Sequence, residues 1–257
     1  MLLYRLGPEG FYAATDEEGV LHYLHSDPFE THPGGWELGR PVPDGPLSAL
    51  VPVAPTKVVG IGRNYRAHAD ELDNPMPTEP LIFLKAPSAL IGHRAAIVLP
   101  QESERVEYEG EIGVVIRTRT ARASLSEARS SILGVTGACD VTARDLQRND
   151  ATFARGKSID TFCPLGPAIA VGVDYEDLEV VTRINGEQRQ QGHVERMAWG
   201  LVELVSYVSH FMTLEAGDLL LTGTPAGVGP LEPGDLVEVE VSGVGVLSNP
   251  VEAWQRT

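Results

Sequence analysis

The run Val106-Glu107-Tyr108-Glu109-Gly110-Glu111-Ile112-Gly113-Val114-Val115-Ile116 opens as an acidic alternation and ends almost wholly apolar, the pattern of a strand entering a buried core. Successive side chains of a strand point to opposite faces, so Glu107, Glu109 and Glu111 are expected on one face. Carboxylates two positions apart then lie about 6 to 7 Å apart, within reach of a single ion. Like charges that close repel, and burying them without a partner is expensive. A hard divalent cation removes both penalties. The acidic triplet alone leaves a solvated edge face as the alternative. Elsewhere, His68 and Glu71 are three positions apart and share a face if that segment is helical, which would let the carboxylate orient the imidazole for proton transfer. The chain has three lysines, Lys57, Lys85 and Lys157, all other bases being arginine. Lys157 sits in a Gly156/Ser158 loop, where a compact ammonium could face a developing anion. Arg63 and Arg144 are candidates for pairing a second substrate carboxylate, with surface ion pairs as the alternative.

These residues need elements to hold them. Leu2 to Leu6, Phe11 to Ala14 and Val20 to Leu24 read as short strands of a small N-terminal β unit, residues 1–52, followed by proline- and glycine-rich connections. Lys57 to Gly62 reads as a buried strand running into a glycine loop, Arg63 to Leu72 as a short helix or loop, and Leu81 to Lys85 as a strand. Ser124 ahead of Glu127 marks a capped helix to Leu133. Asp140 to Gln147 has helical character, Ala154 to Ser158 reads as a loop, and Ala168 to Val171 as a strand. Val180 to Ile184 before Asn185-Gly186 is a hairpin signal. Met197, Leu201, Leu204, Val205, Val208, Phe211 and Met212 recur at helical spacing, which predicts one long amphipathic helix. The loop Thr222 to Gly229 lacks the Gly-Lys-Ser/Thr ending of a phosphate loop and reads as a tight turn presenting Thr224 to a carboxylate. Strands outnumber helices without regular alternation, which argues for a mainly β, α+β fold with residues 53–257 as the larger unit.

The 257 residues carry 36 acids and 20 bases, a formal net charge of −16. That balance argues against a nucleic-acid or anionic-membrane surface, either of which would need a basic patch. The two cysteines, Cys139 and Cys163, lack metal-ligand spacing and make no disulfide framework. No run reaches the ~18 apolar residues of a membrane span. A cytoplasmic protein with a small-molecule substrate is expected.

Taken together, the segments resemble the fumarylacetoacetate hydrolase family across residues 55 to 251. Six pieces fall in family order: Gly62-Arg63-Asn64-Tyr65 with His68 and Glu71; Lys85-Ala86-Pro87; Tyr108-Glu109-Gly110-Glu111; Asp140 to Gln147; Gly156-Lys157-Ser158; and Thr222 to Gly229. The resemblance implies a mixed β-roll, as a homodimer, with Glu109, Glu111 and Asp140 holding Mg²⁺ or Mn²⁺ and Glu107 beside them without ligating. It further implies catalytic roles for His68, Glu71 and Lys157, and substrate contacts from Gln147 and Thr224; Tyr65 and Lys85 of the same motifs, with Arg63 and Arg144, complete the candidate substrate-binding set. Cys139 stands where members often have Asn, and Val194 where a Thr is common. Three carboxylates leave about half of an octahedral shell open to a 2-oxo acid. The activity this implies is stabilisation of an enolate of a 2-oxo or 2-hydroxy-dienoic dicarboxylic acid in aromatic breakdown. A 2-hydroxyhepta-2,4-diene-1,7-dioate isomerase is the leading expectation. An acylpyruvate-type hydrolase, an oxaloacetate decarboxylase and a non-catalytic binding homologue are the alternatives.

Overall fold

In a computed structural model, residues 1–43, 45 and 49–255 are described. An eleven-stranded sheet runs, in spatial order, Leu38–Pro41, Leu21–Leu24, Phe11–Thr15, Leu2–Leu6, Cys163–Ala170, Ile132–Cys139, Gly110–Ile116, Leu219–Leu221, Val58–Gly62 and Leu81–Lys85, with Leu90–Ile91 also pairing with Cys163–Ala170. Its central strands are covered on both sides. In Gly110–Ile116, Ile112, Val114 and Ile116 pack into one apolar cluster, while Val115 points into a second with Leu3, Ile169 and Leu219. Burial on both faces explains why this stretch reads as a continuous apolar run rather than an alternation. A five-stranded sheet, Glu187–His193, Glu179–Ile184, Leu236–Val241, Gly245–Ala253 and Ile97–Leu99, packs against the strands that carry the acidic residues. A small three-stranded sheet joins Thr142–Ala143, Val106–Tyr108 and Gly229–Pro230.

The N-terminal residues form a four-stranded meander that continues the large sheet, with Leu2 and Leu3 of its first strand opposite Ala170 and Ile169. The expected hairpin closes on Asn185 and Gly186, both with positive φ of 54° and 80°. The Ser124–Glu127 capping box starts the helix Leu125–Ser131. Among the described residues no helix is long and apolar enough to cross a membrane.

Four expectations about elements are corrected. The long helix from Met197 is instead a 3₁₀ turn, Val194–Arg196, and a separate helix, Leu201–Ser209. The interruption has a cause: Asn64 O accepts from Ala198 N at 2.7 Å and Asn64 Oδ1 accepts from Trp199 N at 3.0 Å, which takes both amides out of any helical ladder. Asp140 to Ala143 is extended, with Thr142 and Ala143 opposite Glu107 and Val106, and only Arg144–Arg148 is helical. Ala154–Lys157 is one helical turn rather than a loop. The strand expected at Ala168 begins at Cys163 and contains Pro164 and Pro167.

Candidate metal centre and active site

Strand register brings together carboxylates that are distant in sequence. Gly110 lies opposite Cys139 in the antiparallel pair Gly110–Ile116 and Ile132–Cys139, so Glu109 and Asp140 emerge side by side at its end. The Asp140 amide donates to Glu109 O at 2.8 Å and fixes that junction. One carboxylate oxygen from each of Glu109, Glu111 and Asp140 lies within 4.8 Å of the others, and all three residues are buried. Glu107 does not share their face. The backbone breaks at Glu109 between two strands, and Glu107 belongs to the small sheet, where it accepts from Arg105 Nε at 2.6 Å and Arg144 Nε at 2.7 Å.

The cations around the three acids are shared unequally. Lys157 Nζ donates to Glu109 Oε2 at 2.7 Å and to Asp140 Oδ2 at 2.5 Å. Lys85 Nζ donates to Asp140 Oδ1 at 2.6 Å and also to the Lys157 carbonyl. Arg144 Nη2 donates to Glu109 Oε1 at 2.6 Å. Among the described residues Glu111 has no cationic partner; its donor is the Gly223 amide, 2.7 Å from Oε2. The ionisations follow. Burial pushes the Glu111 carboxyl well above the ordinary glutamate range, and the charges of Asp140 and Glu109 push it further. Burial acts the same way on Glu109, but Lys157 and Arg144 outweigh it and hold that carboxyl well below the ordinary range. Burial alone would lower the Lys157 ammonium; Asp140 and Glu109 more than reverse this. A buried acid with no ion-pair partner among the described residues, beside two others, makes an all-oxygen donor set that fits a hard divalent cation.

The three acids open onto a cavity of about 420 Å³. Its apolar wall includes Ile61, Leu72, Leu81, Phe83 and Phe153, and the Lys157 ammonium lies 5.0 Å from the centre of the Phe83 ring. His68, Lys157, Arg63, Arg144, Gln147 and Thr224 all reach the cavity, as does Arg148, which the sequence did not single out. His68 and Glu71 do lie on one helix, Arg66–Glu71, with Nδ1 3.4 Å from Oε2. The Gly227 amide donates to both oxygens of Glu71, at 3.0 and 3.1 Å, so the carboxylate docks this short helix onto the Thr222 to Gly229 loop.

The other residues expected to touch substrate are placed differently. Lys85 is 2 % exposed and stands behind Asp140, off the cavity wall, so its position is that of a support for Asp140 and for the Lys157 backbone. Arg144 reaches the cavity, yet its Nε, Nη1 and Nη2 are engaged by Glu107, Gln147 and Glu109 at 2.6 to 2.8 Å. Among the described residues the side chains of Arg63 and Arg148, which line the cavity, make no ion pair or hydrogen bond. Tyr65 is not on the cavity wall; its hydroxyl is buried without a partner, and burial together with the charge of Glu111 raises it above the ordinary phenol range. The Thr224 hydroxyl donates to Gly110 O at 2.8 Å, so a substrate carboxylate would find this hydrogen already committed. Cys139 and Cys163 are buried free thiols; burial raises both, Cys163 to about 12, which removes them as nucleophiles near neutrality.

A mainly β architecture, a buried Glu-Glu-Asp cluster and a cavity with a His-Glu pair define the class, and the comparisons agree with it. Residues 57–252 match the fumarylacetoacetate (FAA) hydrolase C-terminal family, and the chain belongs to that family. It is similar to a mitochondrial oxaloacetate tautomerase of Bos taurus, 41 % identical over an alignment of 223 positions that covers 82 % of this chain and 71 % of that one. Among solved structures it is similar to a 5-carboxymethyl-2-hydroxymuconate delta-isomerase from Mycobacterium smegmatis, with TM-score 0.89 and 38 % identity over 99 % of this chain and 100 % of that one. It is also similar to a 2-hydroxyhepta-2,4-diene-1,7-dioate isomerase from Mycobacterium marinum, with TM-score 0.87 and 37 % identity over the whole of both chains.

Proposed function

We propose that this protein is a divalent-metal-dependent enzyme that moves a proton along the enol of a 2-oxo or 2-hydroxy-dienoic dicarboxylic acid, as in 2-hydroxyhepta-2,4-diene-1,7-dioate isomerisation. The observation that carries the reading is the buried cluster of Glu109, Glu111 and Asp140 opening onto a cavity with His68 on its wall. These three residues would hold Mg²⁺ or Mn²⁺, which supplies Lewis-acid polarisation of the 2-oxo group. Lys157, held as an ammonium by Asp140 and Glu109, puts positive charge beside the oxygen on which negative charge develops. In this reading His68 takes a proton at one ring nitrogen and returns it to carbon further along the chain, while Glu71, 3.4 Å from the other nitrogen, orients the ring. Phe83, Leu81 and Phe153 exclude water from the substrate's carbon chain. Among the described residues Arg63 and Arg148 are unpaired cations at the cavity and suit the second carboxylate, a role Arg144 cannot take without releasing its glutamates. The isomerase and tautomerase relatives support this reading, because both names describe proton transfer without loss of carbon atoms.

The test is turnover on 2-hydroxyhepta-2,4-diene-1,7-dioate, an acylpyruvate and oxaloacetate, with and without Mg²⁺ or Mn²⁺, each followed by product identification. Metal-dependent isomerised diene, or interconverted oxaloacetate tautomers, without new fragments is the expected result. Pyruvate with a released acid would replace it with C–C bond hydrolysis, and pyruvate with carbon dioxide with decarboxylation. Replacing Arg148 by Ala should lower kcat/KM about 10-fold or more on the dicarboxylates while leaving 2-oxo monoacids nearly untouched. An equal loss on both would remove Arg148 from substrate recognition.

A further inference from the structure

Between the two glutamates of the acidic cluster lies one residue, Gly110, and any tilt of its peptide groups moves both carboxylates. That residue is held by a side chain from another sheet. The Gly110 amide donates to Gln190 Oε1 at 2.9 Å. Gln190 Nε2 donates to Thr224 Oγ1 at 2.7 Å and to Pro225 O at 2.8 Å. Thr224 Oγ1 donates back to Gly110 O at 2.8 Å, which closes a ring of three hydrogen bonds. Donors and acceptors in this ring are forced. The Gly110 amide can only donate, so it must face the Gln190 oxygen; the Gln190 nitrogen can only donate, so Thr224 must accept it and give its own hydrogen to Gly110 O. Gln190 is 1 % exposed and Thr224 2 %. There is no slack where the two sheets meet: a Cβ on Gly110 would stand 1.9 Å from Oγ1 of Thr182, the residue paired with Gln190 in its own sheet.

We propose that Gln190 is a positioning residue of the metal centre, which sets the spacing of Glu109 and Glu111 by locking the Gly110 peptide and Thr224 into one hydrogen-bonded ring. The inference rests on the reading of Glu109, Glu111 and Asp140 as metal ligands. It follows from bond geometry that Thr224 then presents to the cavity an oxygen that accepts, which suits a substrate hydroxyl such as an enol better than a carboxylate. An isosteric apolar side chain at 190 would leave the Gly110 amide buried without an acceptor and free both carboxylates to drift.

The experiment is Mn²⁺ binding to the full chain, read by calorimetry and by the electron paramagnetic resonance line shape of the bound ion, at a temperature where circular dichroism shows every variant folded. Gln190→Met is expected to weaken Mn²⁺ binding about 10- to 100-fold and to broaden the spectrum, the scale typical of groups that orient ligands without touching the ion. Gln190→Glu keeps the acceptor for Gly110 but not the donor to Thr224, and should fall between Gln190→Met and wild type. It carries the test if Gln190→Met does not fold. Combining Gln190→Met with Thr224→Val should cost no more than Gln190→Met alone, because both open the same ring. Wild-type Mn²⁺ affinity and line shape in both variants at position 190, with only a lowered Tm, would overturn the proposal, as would strict additivity with Thr224→Val. Wild-type protein that takes up no Mn²⁺ would overturn it together with the reading it rests on.

Discussion

Glu111 is the carboxylate on which the acid–base behaviour of the centre turns. Its two neighbours carry lysine and arginine partners, whereas Glu111 has only a backbone amide. Its folded-state value is raised, so across the range above the ordinary 4.5 the folded chain holds a proton that the unfolded chain has lost. Stability contributed by this group is therefore complete below the ordinary value and is lost as pH rises toward the folded one. Glu109 runs the other way: its contribution is present above the ordinary value and lost as pH falls toward its depressed one. Metal-free protein should thus lose Tm as pH rises above the ordinary glutamate value of 4.5, and saturating Mg²⁺ should remove that slope. Binding itself should release about one proton per site, read by calorimetry in buffers of different ionisation enthalpy. No proton release on metal binding, together with a flat metal-free Tm profile, would contradict the assignment of Glu111. Glu111→Gln should abolish both effects.

At the scale of elements, the helix Arg66–Glu71 depends on the contacts that dock it. Six residues are too few for a stable isolated helix, so tertiary contacts must hold it. One of them is the Gly227 amide on the Glu71 carboxylate. Glu71→Gln preserves an acceptor for that amide while removing the charge beside His68, and Glu71→Ala removes both. Expected outcomes are ordered: His68→Ala lowers kcat about 10²- to 10⁴-fold, Glu71→Ala approaches it, and Glu71→Gln lies between Glu71→Ala and wild type. Mn²⁺ affinity should stay near wild type in all three, since neither side chain is placed as a ligand. Steady-state kinetics beside metal titration checks this, and wild-type kcat in Glu71→Ala would break the link between helix docking and proton transfer.

Across the whole molecule, what the sequence made legible and what it hid divide by range. The Asn185-Gly186 hairpin and the Ser124–Glu127 capping box depend on residues within a few positions, and both are present. The acidic cluster was legible because Glu109 and Glu111 straddle one residue and because the motif order placed Asp140 with them. The full commitment of Arg144 was hidden, since it depends on pairing Thr142 with Glu107 across a sheet of three short strands. Gln190 was hidden too: it lies in the strand Glu-Gln-Arg-Gln-Gln-Gly-His, where nothing local marks one glutamine as buried and the other two as not. The helix expected from Met197 failed because a distant Asn64 captures its backbone. The N-terminal residues pose the same question at the largest scale. Their composition suggests a small unit of its own, yet Leu3 is fully buried among Val115, Ile169 and Leu219, and its strand pairs with the strand Cys163–Ala170. A side chain in that position couples the meander to the strand next to Ile132–Cys139, which leads directly into Asp140. Leu3→Ala should therefore cost about 2 to 5 kcal/mol of global stability and leave denaturant unfolding a single transition by both fluorescence and circular dichroism. Two separated transitions, with Mn²⁺ binding retained through the first, would instead make residues 1–52 an independent domain.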